Sequence, residues 1–176
     1  MDGLDDWLAD AQAREAADER IRERWLRQQA ADEAAFAGLL ADLAEGGETC
    51  VLTTAGARLH RGRVVAVGAD FVAVRADGGR TTVVALHSVA VVRPEGERPI
   101  VPSAAPDQPP GLTLAGLLAR AVADRPRVQV QLRDGDALVG ELRSMGVDVV
   151  TLAPDTGGPA YVRLASISEI SLFESG

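Results

Sequence analysis

The sequence predicts a mainly β fold with helices (α+β): two tandem five-stranded small barrels, each preceded by a helix, plus a long acidic N-terminal helix. Three observations predict it. Short β-rich runs alternate with turn signals in two separate stretches. Landmark residues recur at a constant offset of 78 positions: Gly38 and Gly116, Gly62 and Gly140, Gly68 and Gly146, Asp70 and Asp148, Leu86 and Leu164, Ser88 and Ser166. The first 45 residues, by contrast, are rich in Ala, Glu, Arg, Leu and Gln and contain no Pro.

Residues 4–45 read as helix, with an apolar stripe at Phe36, Leu39, Leu40 and Leu43 that ends at "EGGE", where Gly46 and Gly47 supply a C-cap. Residues 49–93 then carry the runs "CVLTT", "RLHRGRVVAV", "DFVAVRA", "RTTVVAL" and "SVAVV". Five strands in so short a stretch imply a closed barrel or tight sandwich, because an open sheet of that size exposes its edges. Residues 94–110 hold six of the nine prolines and read as a stiff linker. "LTLAGLLARAVADR" is a second amphipathic helix with Thr113 as N-cap. Five further strands follow from Val128. The organisation expected is a 1–35 acidic helical extension, a 36–93 helix plus barrel, a 94–111 Pro-rich linker, and a 112–176 helix plus barrel.

The repeated Gly-x-Asp turn reads as structural. Gly68 and Gly146 are expected at positive φ, with Asp70 and Asp148 bonding nearby backbone N–H groups to pin the turn. Only the first hairpin resists the common offset, since Gly56 and Gly135 are 79 apart.

Composition narrows the function classes. The chain has 176 residues, 47% apolar but only 3% aromatic, so its core must be Val, Leu, Ala and Ile. It has no Lys and no Asn, which suggests a high-GC bacterial genome. The net charge of −8 argues against a general nucleic-acid binder, yet residues 49–93 carry +4 and residues 1–48 carry −8. Cys50 is the sole cysteine, which excludes an internal disulfide. The acidic start "MDGLDDWLAD" lacks the features of a signal peptide, and no apolar stretch suits a membrane span, so a cytoplasmic protein is expected. His60 and His87 are too few and too far apart for a metal site, no phosphate loop is present, and Ser88 beside His87 does not form a triad. The expectation is therefore no enzyme, no catalytic residues, no cofactor, no metal and no small-molecule substrate.

The unit resembles the Sm-like family, which includes the LSm proteins and bacterial Hfq. The resemblance rests on a helix, five strands, a Gly inside strand two and a closing V-x-L-x-S-[VI]-x-x-[VI], over residues 36–93 and 114–172. "VALHSVAVV" is similar to the second Hfq motif, with His87 at the motif's His; "VRLASISEI" keeps the spacing but has Ala165 there. The resemblance implies bent barrels that pair strand four of one subunit with strand five of the next. It also implies an RNA pocket that this chain lacks in large part. The pocket's Asp slot falls on Gly68 and Gly146, its Asn slot on Val72 and Val150, and the motif's Lys position on Leu86 and Leu164.

Two functional expectations follow. One is an assembly or interaction module, self-associating or binding a protein partner, with Trp7, Ile21, Trp25 and Leu26 on a docking helix. The other is RNA or single-stranded nucleic-acid binding through Arg58, Arg61, Arg63, Arg75 and Arg80 with His87. They are told apart by whether these arginines converge with His87 on one surface.

Overall fold

The computed structural model describes residues 19–20, 22, 24–25, 35–96, 100, 102–104 and 111–172. Besides the helical residues 19, 20, 22, 24 and 25, they form the α-helices α1 (Phe36–Gly46) and α2 (Leu114–Ala121) and ten strands. The first five are β1 (Thr49–Thr54), β2 (Leu59–Val67), β3 (Phe71–Arg75), β4 (Thr81–Ala85) and β5 (Val89–Pro94). The second five are β6 (Arg127–Leu132), β7 (Ala137–Met145), β8 (Val149–Ala153), β9 (Ala160–Arg163) and β10 (Ile167–Leu172).

All ten strands lie in one antiparallel sheet, in the order β5-β1-β2-β3-β4-β10-β6-β7-β8-β9. This corrects the expectation of two separate five-stranded barrels. Closing the first half would need β4 to pair with β5; the free edge of β4 is instead taken by β10. The sheet therefore stays open, and one edge of each half is covered by the other half. The continuous N-terminal helix also needs correction. Ala35 is extended, with φ −123° and ψ 146°, so α1 begins afresh at Phe36. Upstream, residues 19, 20, 22, 24 and 25 are helical and exposed. Trp7, Ile21 and Leu26 lie outside the described residues.

The two halves repeat pair for pair. Leu52 faces His60 as Val130 faces Leu138, and Val64 faces Val74 as Leu142 faces Leu152. The irregularities repeat too: the ladder slips between Val64 and Ala66 and again between Leu142 and Ser144. Strand five slips between Val89 and Val91 against β1, and between Ile167 and Glu169 against β6. Bulges bend and twist a strand locally, so their recurrence gives both halves the same curvature. The first hairpin obeys the offset as well. The counterpart of Gly135 (φ 102°) is Ala57, which takes φ 59°, and not Gly56.

Helix ends follow local chemistry. α1 ends on Gly47 at φ 63°, whose N–H reaches the Leu43 carbonyl. Thr113 Oγ1 accepts from Gly116 N–H at 3.0 Å at the start of α2. Asp70 makes a longer-range tie: its Oδ1 accepts the Leu114 N–H at 2.6 Å, joining the β2–β3 turn of one half to the helix of the other. Its carbonyl accepts Leu86 N–H as the Asp148 carbonyl accepts Leu164 N–H. The expectation of positive φ at Gly68 and Gly146 is wrong; neither adopts it. Gly68 is required for space, since a Cβ there would sit 2.2 Å from the Phe71 ring. At Gly146 the corresponding neighbour is Val149 Cγ1 at 3.0 Å. Asp70→Ala removes a helix cap and should lower stability by about 1 kcal/mol, measured by urea denaturation; no change would show that the tie contributes nothing.

Side-chain alternation builds two cores from one sheet. Val72, Val74 and Val84 face Leu40, Leu43, Cys50, Leu52 and Val64 beneath α1. Phe71, Ala73, Val83 and Ala85 project the other way, into the core of the second half with Leu114, Leu118, Val150 and Ile170. β3 and β4 are thus buried on both faces, as is β10. Described linker residues touch the first half. Pro94 belongs to β5, Ile100 packs on the first core, and Ser103 N–H and Oγ bond Asp42 on α1. The remaining linker residues, 97–99, 101 and 105–110, lie outside the described set. Among the described residues no helix is long and apolar enough to cross a membrane.

Candidate functional site: the junction between the repeats

The seam between the halves is where side chains of different sequence regions meet. β4 and β10 run antiparallel with Val84 opposite Glu169, Val83 opposite Ile170 and Thr82 opposite Ser171. The Thr82 and Ser171 hydroxyls bond at 3.1 Å out of solvent. Glu169 is only 3% exposed, in a strand that is otherwise apolar or small. Both its oxygens are met from β2 and the loop before it. Arg58 Nε donates to Oε2 at 3.0 Å, and His60 Nε2 lies 3.0 Å from Oε1. The approach is close, but no hydrogen bond of ordinary geometry joins Nε2 to Oε1, and among the described residues neither buried atom has another hydrogen-bond partner. Burial opposes ionisation of Glu169, but the close approach and charge of His60, then the hydrogen bond and charge of Arg58, outweigh it and hold the carboxyl below its ordinary range.

Beside this cluster lies an open cavity of about 410 Å³, lined by Arg58, His60, Arg61, Arg80, Gln129 and Ser171 among others. Its positive charge is largely answered from within the chain. Arg61 bridges Asp77 at 2.7 Å and Glu95 at 2.8 Å, and these carboxylates raise its pKa. Arg80 donates to Gln129 Oε1 at 3.3 Å, a bond that also crosses between the halves.

The expected basic patch is therefore only partly assembled. Arg58, Arg61 and Arg80 come together, with His60 rather than His87. Arg63 and Arg75 line a separate cavity with Asp77 and Gly79. His87 is exposed in the single turn of 3-10 helix before β5, away from both. The sequence reading missed Glu169. The available signal was a lone acid within "SISEISL" at the position where the first repeat has Val91. Among the described residues no group of three or more His, Cys, Asp or Glu is placed to hold a metal ion.

The outer edges of the sheet are the same seam taken apart. β9 is the counterpart of β4, and β5 the counterpart of β10, yet among the described residues neither has a strand on its outer side. Val83 is 5% exposed within the seam, whereas its counterpart Tyr161 is 71% exposed; Val91, the counterpart of Glu169, is 38% exposed. Fold and site thus define a tandem-repeat β chain with a buried internal junction at β4–β10 and sheet edges at β5 and β9. No protein-family model and no curated protein matches the chain.

Proposed function

We propose that this chain is a non-enzymatic self-assembly module, in which β5 of one copy adds to β9 of the next. One observation carries the reading: the β4–β10 junction is buried on both faces, while strands of the same register and bulges stand open at β5 and β9. Repeating the internal geometry places Val91 opposite Val162, Val92 opposite Tyr161 and Arg93 opposite Ala160. The two edges differ, so the contact is head-to-tail and yields a ring if the rotation closes or a filament if it does not. Open strand edges favour such pairing unless they are blocked. Trp25, 63% exposed on a helical stretch, adds a surface for a protein partner. The reading carries with it kinship to the Sm-like family and a cytoplasmic location, in keeping with a single unpaired cysteine.

A second reading, RNA or single-stranded nucleic-acid binding at the junction cavity, draws on the convergence of Arg58, Arg61 and Arg80. It is the weaker one, because Glu169 engages Arg58, Asp77 and Glu95 engage Arg61, and Arg80 donates to Gln129.

Sedimentation velocity over a concentration series tests the assembly. The chain is expected to form oligomers, and Tyr161→Glu to weaken association at least about tenfold by setting a charge into an edge that must desolvate. A strict monomer at all concentrations ends the reading. Titration of U-rich and A-rich oligonucleotides then decides the alternative.

A further inference from the structure

Two junctions built on one template raise a question of phase. β10 fits β4 of its own chain, but its backbone would equally fit β9 of another chain, and β5 would fit β4. Such crossed pairings would join like halves of different chains and break the alternation of first and second halves. We infer that Glu169, His60 and Arg58 form a pairing key that fixes which strand-five edge meets which strand-four edge when a second copy docks. The inference rests on the self-assembly reading and adds the device that gives it direction.

The repeat offset supplies the argument. Glu169 corresponds to Val91, His60 to Leu138 and Arg58 to Asp136. The internal junction therefore buries a carboxylate against a histidine and an arginine. The outer junction, laid on the same template, sets Val91 of one copy beside Leu138 and Asp136 of the next. The correct pairings match acid with base and valine with leucine. The crossed pairing of β10 with β9 sets Glu169 against Leu138 and another carboxylate, with neither of its partners. A buried charge without a partner costs far more than an imperfect apolar contact. The converse crossing, β5 on β4, leaves Arg58 and His60 beside Val91; it is the milder error because Arg58 is half-exposed and can be hydrated. Specificity thus comes from a repulsive element on the edge most prone to error.

Transplanting the key tests it in the full-length chain. Val91→Glu places the internal key's acid at the outer edge. The association constant should fall at least about 100-fold, since one buried unpaired charge opposes the contact. Val91 is partly exposed in the single chain, so at dilutions where both proteins are dissociated the thermal midpoint of this variant should stay close to that of the parent. Adding Asp136→Arg and Leu138→His supplies the matching base and should restore association to within about tenfold of the parent. As a second measurement, V91E chains mixed with D136R/L138H chains should associate more tightly than V91E chains alone. Loss of association with no recovery in either format overturns the key and leaves self-assembly standing. Association unaffected by Val91→Glu overturns the key together with the β5–β9 contact, and a parent chain that never self-associates does the same.

Discussion

Removing both Arg58 and His60 by substitution with Ala should destabilise the protein by about 3–5 kcal/mol at neutral pH, the range for a buried charge left without its partner. Glu169→Val should cost far less and can be nearly neutral. The asymmetry follows from where each group sits. Glu169 is enclosed, with both oxygens answered only by Arg58 and His60. Arg58 is half-exposed and water can take over from the acid. The pH dependences should have opposite signs. In the parent, the Glu169 carboxyl is held below its ordinary 4.5, so its contribution is fully present above about that pH and is lost as pH falls through the lower, folded value. In the Arg58→Ala/His60→Ala variant only burial acts on Glu169 and raises its pKa. The folded state then binds the extra proton, and the penalty grows as pH rises through the raised value. Chemical denaturation of the three proteins between acid and neutral pH measures this. A double variant whose stability deficit is constant with pH would show that Glu169 is not the group left stranded.

Gly62→Ala should lower stability by at least about 3 kcal/mol, the upper range for overpacking a site that cannot yield. An added Cβ would lie 2.2 Å from the Arg75 carbonyl oxygen and 2.7 Å from its carbon. Both are backbone atoms of β3, fixed by the Arg63–Arg75 and Arg75–Thr81 pairings, so no side chain can swing away. The corresponding substitution in the second repeat, Gly140→Ala, meets the Ala153 carbonyl at 2.7 Å and should cost about 1–2 kcal/mol. Thermal unfolding of the two variants side by side measures the difference. Equal midpoints would mean that the sheet opens between β2 and β3 more readily than its pairing implies.

Much of the local structure was legible. The ten strands, the Gly47 stop of α1 and the Thr113 cap of α2 all have short-range causes: alternation, a left-handed glycine and a hydroxyl three residues before an amide. The offset of 78 was legible and holds more strictly than residue identity suggests, because Ala57 adopts the backbone that Gly135 adopts. The glycines of the repeated turn were located but given the wrong cause. Their role is to leave room for Phe71 and Val149, and no local pattern reports what lies above a Cα. For the site, Arg58, Arg61 and Arg80 were marked and do converge, but His87 does not join them. Glu169 was not seen, since 111 residues separate it from Arg58 and only strand order brings them together.

By itself the sequence determined that there are two copies of one helix-plus-five-strand unit, which runs form strands and which form turns, and which residues alternate toward a core. These are properties of hydrogen-bonding backbone and side-chain period, which act within a few residues. Only the tertiary structure decided that the units share a single open sheet through β4 and β10, that Glu169 is the acid enclosed at their seam, and that β5 and β9 form its outer edges among the described residues. The physical reason is that a strand edge offers the same donors and acceptors to any partner. Which partner it takes depends on the apolar faces and charges that the whole chain brings alongside.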